Sequence, residues 1–264
     1  MTATENNSSK KKNAIIAVSG KGGTGKTVIS TIIIKYLKQK KLNILAIDAD
    51  PATTLPPALG VTPRKTIADI RETLVEGPGR APTTNLPIDL YIDNQIRELL
   101  IRKQNISVLA IGHPEGQGCY CLVNDILRHS IEKFAENYDV TVIDCEAGLE
   151  HLSRRTTSSV DTMIIVTDAT HRGIKTAKLI TDLAKNLEIK LNKICVILNR
   201  TSKEQSKEFI QIASEYGIEI AGIVPVDDTI TEFDMSGKPL IDLPDDIPAV
   251  VAVGKILEDL KVFI

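Results

Sequence analysis

Gly20-Lys21-Gly22-Gly23-Thr24-Gly25-Lys26-Thr27 stands between two stretches of different character. The apolar run Ala14 to Val18 before it reads as a buried strand, and Lys26 to Gln39 after it reads as a helix. Strand, glycine loop and helix in that order form the setting a phosphate-binding loop requires. Glycines at 20, 22, 23 and 25 let backbone N–H groups turn toward an anion, and the helix start adds its positive dipole end. Lys26 is placed to reach the β- and γ-phosphates of a nucleotide, and the Thr27 hydroxyl to sit on Mg²⁺.

Working outward, Lys26 to Gln39 is rich in Val, Ile and Thr, so local propensity alone favours a strand. The loop demands a helix there, and an apolar one is expected to lie sandwiched against a sheet. Leu42 to Ile47 is a second buried strand running into Asp48-Ala49-Asp50-Pro51. Carboxylates at the carboxyl end of a strand lie where ligands bind in open α/β sheets. Asp50 is therefore a candidate to orient attacking water, with turn capping as the alternative for either aspartate. Val140 to Ile143 is a further strand closing on Asp144, the position of a Mg²⁺-side carboxylate, and Gly148 would let the next loop swing.

Further strands are expected at Ser107 to Ile111, Met163 to Val166, Ile194 to Leu198 and Ile218 to Val224, with helices at Leu122 to Asn137 and Ile174 to Asn186. The last strand runs into Pro225-Val226-Asp227, expected to line a base pocket. A terminal helix carries Val250, Val253, Ile256, Leu257, Leu260, Phe263 and Ile264 on one face. The pattern predicts an α/β chain: one doubly wound, mainly parallel sheet with helices on both faces. Residues 14–264 are expected to form one domain, preceded by a flexible polar tail, 1–13. An irregular, proline-rich insertion at about 52–105 holds helical patches at Thr66 to Val75 and Ile96 to Ile101 and is read as partner-facing.

Composition narrows the function classes. With 264 residues, 42% of them hydrophobic, the chain can bury a full core. Aromatics make up 3% with no Trp, which argues against base-stacking platforms. A formal net charge of -2 and a balanced terminal helix give no attraction to nucleic acid or anionic lipid, so neither is expected as a partner. No apolar run approaches the roughly 20 residues needed to span a bilayer, and a cytoplasmic location is expected. Reduced thiols are the rule there, so the four cysteines are expected free, catalytic or metal-binding.

Cys119 and Cys121 end the irregular loop that begins at Gly112, and Cys121 opens the expected helix. A helix start favours thiolate, and two thiolates make half of a four-ligand soft-metal site. A two-fold dimer would supply the other half. Buried small side chains or a dithiol redox pair are the alternatives. His113 reads as a surface residue beside this loop, and Cys145 as a packing residue.

Lys21, directly after the first glycine, resembles the deviant phosphate loop of the MinD, ParA and nitrogenase-iron-protein group of dimeric ATPases. That resemblance implies a nucleotide-dependent homodimer in which Lys21 reaches the partner's nucleotide. Asp48-Ala49-Asp50-Pro51 looks like the same group's first switch, with Asp50 positioning water, and Asn199-Arg200 like its adenine-reading pair. Gly118-Cys119-Tyr120-Cys121 with Asp144-Cys145-Glu146-Ala147-Gly148-Leu149-Glu150-His151 narrows the resemblance to the CooC type, accessory ATPases that insert nickel into carbon monoxide dehydrogenase and acetyl-CoA synthase. It implies ATP/ADP and Mg²⁺ at the glycine loop, Ni²⁺ (or Zn²⁺) gathered by Cys119 and Cys121 of two subunits, and one of those enzymes as client. Two other readings stay open: an ATP-gated partition or positioning protein, and a dimer-bridging iron–sulfur carrier. The first wants a basic face, and the second usually spaces its cysteines one residue further apart.

Overall fold

The computed structural model of the chain describes residues 13–75, 87–113, 121–146, 157, 159–186 and 190–262. Its strands are β1 (Ala14–Gly20), β2 (Ile44–Asp48), β3 (Ile101–Lys103), β4 (Ile106–Ala110), β5 (Val140–Asp144), β6 (Ser159–Thr167), β7 (Lys190–Asn199) and β8 (Ile220–Val224). They form one sheet in the order β3-β4-β2-β5-β1-β6-β7-β8. Every neighbouring pair is parallel except β3 with β4.

The helices are α1 (Lys26–Gln39), α2 (Leu55–Ala58), α3 (Ile67–Val75), α4 (Ile88–Leu99), α5 (Cys121–Ala135), α6 (His171–Lys185), α7 (Lys203–Glu215), α8 (Asp228–Met235) and α9 (Pro248–Asp259). Two apolar cores lie on opposite faces of the sheet. In β1, Ile16 and Val18 enter one core and Ala17 the other, as strand alternation requires. The first core takes α1, α2 and α9, and the second takes α3 to α7. This is the doubly wound architecture expected from the sequence.

The α1 segment resolves the conflict between propensity and context. Val, Ile and Thr cost up to about 0.7 kcal/mol each in a helix. Ile29, Ile32, Ile33, Ile34 and Leu37 are all 0% exposed, and burying each such side chain stabilises by about 1.5–3 kcal/mol, so packing wins. The helix is covered by the sheet on one side and by α2 and α9 on the other.

The stretch expected to be irregular carries, among its described residues, α2, α3, all twelve residues of α4 and the edge strand β3. Its helical patch begins earlier than periodicity suggested and gives way at Leu100 to an antiparallel strand. The helices α7 and α8 were not foreseen. The terminal helix buries Val250, Val253, Ile256 and Leu257 as expected, while Phe263 and Ile264 lie outside the described residues. No described helix is long and apolar enough to cross a membrane.

Candidate nucleotide site

The order of the sheet determines where a site can form. The chain steps from β1 to β2, fills in β4, and returns with β5 between β2 and β1 before crossing to β6. The carboxyl ends flanking this reversal carry Asp48, Asp144 and Gly20. Register places Asp144 beside both Asp48 on β2 and Val18 on β1. Ligands of open α/β sheets bind at such reversals.

The glycine loop leaves the end of β1 and leans over β6. A Cβ at Gly20 would overlap the Val166 carbonyl, so only glycine permits that approach. Thr24 braces the turn from inside, its hydroxyl donating to the Lys21 carbonyl at 2.8 Å. Gly25 caps α1 with φ of 90° and supplies no side-chain hydrogen bond, so the first N–H groups of α1 keep no side-chain acceptor from that residue. A helix start of this kind, lined by Gly22 and Gly23 with open space around them, is a ready anion site. Lys26 is buried at its inner edge.

Beneath the loop lies a set of oxygen atoms. Thr27 Oγ1 donates to Asp144 Oδ2 at 2.6 Å and lies 3.0 Å from Thr54 Oγ1, while Ser30 donates to Asp144 Oδ1 at 2.9 Å. Burial pushes the Asp144 carboxyl up to about 6, against the opposing effect of the Thr27 and Ser30 hydrogen bonds and the Lys26 charge. Burial also raises Asp48, to about 7, although it accepts hydrogen bonds from the Leu55 and Asp50 N–H groups; the negative charges of Asp144 and Asp50 add to the rise. Hard oxygen donors around a buried carboxylate short of positive charge suit a small divalent cation. Thr27 and Asp144 therefore fit Mg²⁺.

Asp50 is partly exposed at the same end of the sheet, with its Oδ1 accepting the Ala52 N–H at 2.9 Å. Turn capping is the alternative that Asp48 fulfils. It is fully buried and clasps the loop from Asp48 to Leu55 through its two backbone bonds, at 2.9 and 2.8 Å. Ser30 and Thr54 were not singled out, and isolated hydroxyls carry no sequence signal that would single them out.

Asn199, expected to read a base, is buried and donates from Nδ2 to the Thr24 carbonyl at 2.8 Å. Arg200 NH1 lies 3.4 Å from the Gly23 carbonyl. Both end on the glycine loop itself. Val226 is exposed and Pro225 partly so, while the Asp227 carboxylate accepts from the Thr229 and Ala249 N–H groups and so caps α8 and ties α9 to it. Cys145 is buried and its thiol is pushed up by that burial, in keeping with packing.

Of the cysteine pair, Cys121 begins α5, while Cys119 and the loop before it lie outside the described residues, as do 147–156. No group of three or more potential metal ligands occurs among the described residues. The root of the cysteine loop is described: Ile111 N donates to the Asp48 carbonyl at 2.8 Å, and Ala49 N to the Asp144 carbonyl at 2.9 Å. His113 is exposed at that root.

A glycine loop on a central parallel strand, opening a buried helix and facing two strand-end carboxylates, defines a P-loop nucleotide-binding protein. The profile of the CbiA family, the CobQ/CobB/MinD/ParA nucleotide binding domain, matches residues 15–240, and the chain belongs to that family. It is 45% identical over 246 residues to an uncharacterized ATP-binding protein of Methanocaldococcus jannaschii, covering 92% of this chain and 97% of that one. It is 32% identical over 241 residues to the carbon monoxide dehydrogenase accessory protein CooC of Rhodospirillum rubrum, covering 86% and 89%. The MinD cell division protein of Aquifex aeolicus has the same fold, with a TM-score of 0.67 at 23% identity over 94% of this chain and 96% of that one.

Proposed function

We propose that this chain is a CooC-type metallochaperone: an ATPase that dimerises around nucleotide, holds nickel between subunits and releases it to carbon monoxide dehydrogenase or acetyl-CoA synthase. The observation that carries this reading is the Cys119-Tyr120-Cys121 sequence, whose last residue begins α5, in a chain 32% identical to a carbon monoxide dehydrogenase accessory protein. The ATPase half of the reading has the loop geometry and the family as support.

Residues 20–27 cradle the phosphates of ATP, with Lys26 on the β- and γ-phosphates. Mg²⁺, when held by Thr27 and Asp144, neutralises charge that develops on the phosphates. Asp50 turns from its loop to orient the attacking water, and Asp48 holds the backbone of that loop in place. Asn199, Arg200 and Pro225-Val226-Asp227 border the base side. Lys21 completes the nucleotide site of a second copy. Cys119 and Cys121 of two copies together supply four thiolates for the cargo ion, with Ni²⁺ preferred here to Zn²⁺ because of the CooC relative.

Two backbone hydrogen bonds link the nucleotide site to the root of the cysteine loop. The strand that leads to the cysteines is bonded to the Asp48 backbone, and the next residue after Asp48 is bonded to Asp144. A change in the Asp48–Leu55 loop on phosphate release therefore acts on the neighbour of the cysteine loop. Bound nucleotide and bound metal favour one another if both favour the closed dimer.

The test is phosphate release and nickel binding on the same preparations. Lys26→Ala and Asp50→Ala should abolish ATP turnover, while Cys119→Ser largely spares it and loses nickel. Equal loss of turnover in all three, or nickel retained in Cys119→Ser/Cys121→Ser, contradicts the division of roles.

A further inference from the structure

Asn199 and Arg200 stand two strands from β1, at the end of β7, yet their side chains reach the glycine loop. The loop meets them partway because it crosses the end of β6. Asn199 is 4% exposed, and its amide lies so close over Gly25 that a Cβ there would come within 2.5 Å of Nδ2. The turn that carries the pair is itself fixed. Thr201 N donates to the Val224 carbonyl at 3.2 Å and Thr201 Oγ1 to the Asn199 carbonyl at 3.1 Å. Arg200 adopts φ of 56°, a left-handed conformation that a long side chain rarely takes. Held there, its guanidinium faces the Gly23 carbonyl.

A peptide group is planar, and in its trans form the C=O and the following N–H point in opposite directions. A carbonyl pinned toward β7 therefore aims the next N–H away from β7. Asn199 on the Thr24 carbonyl fixes the Gly25 N–H in this way, while Arg200 on the Gly23 carbonyl fixes the Thr24 N–H, which closes the turn on the Lys21 carbonyl at 3.4 Å. In a glycine-rich loop, where backbone freedom is greatest, two external pins of this kind remove most of the alternative orientations.

We propose that Asn199 and Arg200 are positioning residues that strap the phosphate loop into its anion-binding shape, acting on the phosphates of any nucleotide rather than on the base. The proposal rests on residues 20–27 being the nucleotide site. It differs from base reading in what it makes of GTP and of a ligand with no base at all. Asn199 keeps a second N–H, so contact with a base remains open to it, but the strap works whether or not a base is present.

The experiment is isothermal titration of the full chain with Mg²⁺ and, in turn, ATP, GTP and inorganic tripolyphosphate, for the natural sequence and for Asn199→Ala, Arg200→Ala and Arg200→Lys. Loss of the Asn199 pin should weaken all three ligands by a common factor of about ten, the scale of one hydrogen bond to a buried carbonyl. Arg200→Ala should weaken all three by a smaller common factor, and Arg200→Lys should restore part of it. Melting temperature is followed in parallel. Arg200 is exposed, so its variants decide the matter even if Asn199→Ala folds poorly. A loss confined to ATP, or no loss for GTP and tripolyphosphate, overturns the strap. A natural chain that binds none of the three overturns the nucleotide reading beneath it, and the strap with it.

Discussion

Replacing Asp144 with Asn should make the ligand-free protein more stable at pH 8 while weakening its hold on Mg²⁺-nucleotide. Burial lifts this carboxyl from 3.8 to about 6, so folding disfavours its charged form. One pKa unit corresponds to 1.36 kcal/mol, which makes the cost of the charge at most about 3 kcal/mol. The attraction of Lys26 is already included in it. Because the folded pKa lies above the unfolded one, the cost is absent below about pH 4, grows between pH 4 and 6, and is complete above that. Asn can still accept from one of the hydroxyls of Thr27 and Ser30, and the other hydroxyl can rotate to accept from its amide. For a chain of this size a gain near 3 kcal/mol raises the melting temperature by roughly 5–10 °C. Thermal unfolding of both proteins at pH 4 and pH 8, without nucleotide, measures it. The curves should coincide at pH 4 and separate at pH 8. A variant less stable than the natural protein at pH 8, or a gap of the same size at both values, would refute the reasoning.

Three other outcomes follow from single positions. Gly25→Ala places a Cβ 2.5 Å from Asn199 Nδ2 at φ of 90°, which costs about 1–2 kcal/mol in backbone strain alone, so titration should find ATP affinity lost with the fold retained. Gly222→Ala, on β8, would overlap Ile256 of α9; it should lower stability by about 1–3 kcal/mol in a denaturant titration and leave nucleotide affinity unchanged. Lys21→Ala should keep ATP binding within a few-fold but abolish nucleotide-dependent dimerisation by analytical ultracentrifugation; unchanged dimerisation would remove Lys21 from the partner's site.

Much of the fold was legible because its signals are redundant. The glycine loop specifies strand before and helix after, and the buried strands read as continuous apolar runs, as parallel strands covered on both faces do. That logic also rescued α1 from its own β-propensity. Elements without such redundancy were missed. The edge strand β3 is three residues long and mostly exposed, with Arg102 and Lys103 on it, so no apolar pattern marks it. By contrast α7 was legible in principle: Ser202 and Gln205 form a capping box whose sequence spacing announces a helix start. The short α8 fully buries no residue and turns only Ile230 and Phe233 to the core, too brief a stripe to register as a period.

In the candidate site, Thr27 and Asp144 were readable from spacing and strand-end position, and the structure brings them into direct contact. The reach of Asn199 to the Thr24 carbonyl was not readable. It depends on the loop crossing β6 to meet a residue 175 positions away, a distance no local pattern encodes. Asp48 was half-readable: its place at a strand end is in the sequence, but its burial and its grip on the Leu55 N–H come from the turn that follows.

The most direct test of the account weighs the particle and counts its metal together, by native mass spectrometry of the chain with ATP, Mg²⁺ and rising nickel. The expected result is a species of two chains carrying a single nickel ion, present with nucleotide and absent from Cys119→Ser/Cys121→Ser. A single chain that holds nickel as tightly with nucleotide as without would contradict the shared thiolate site.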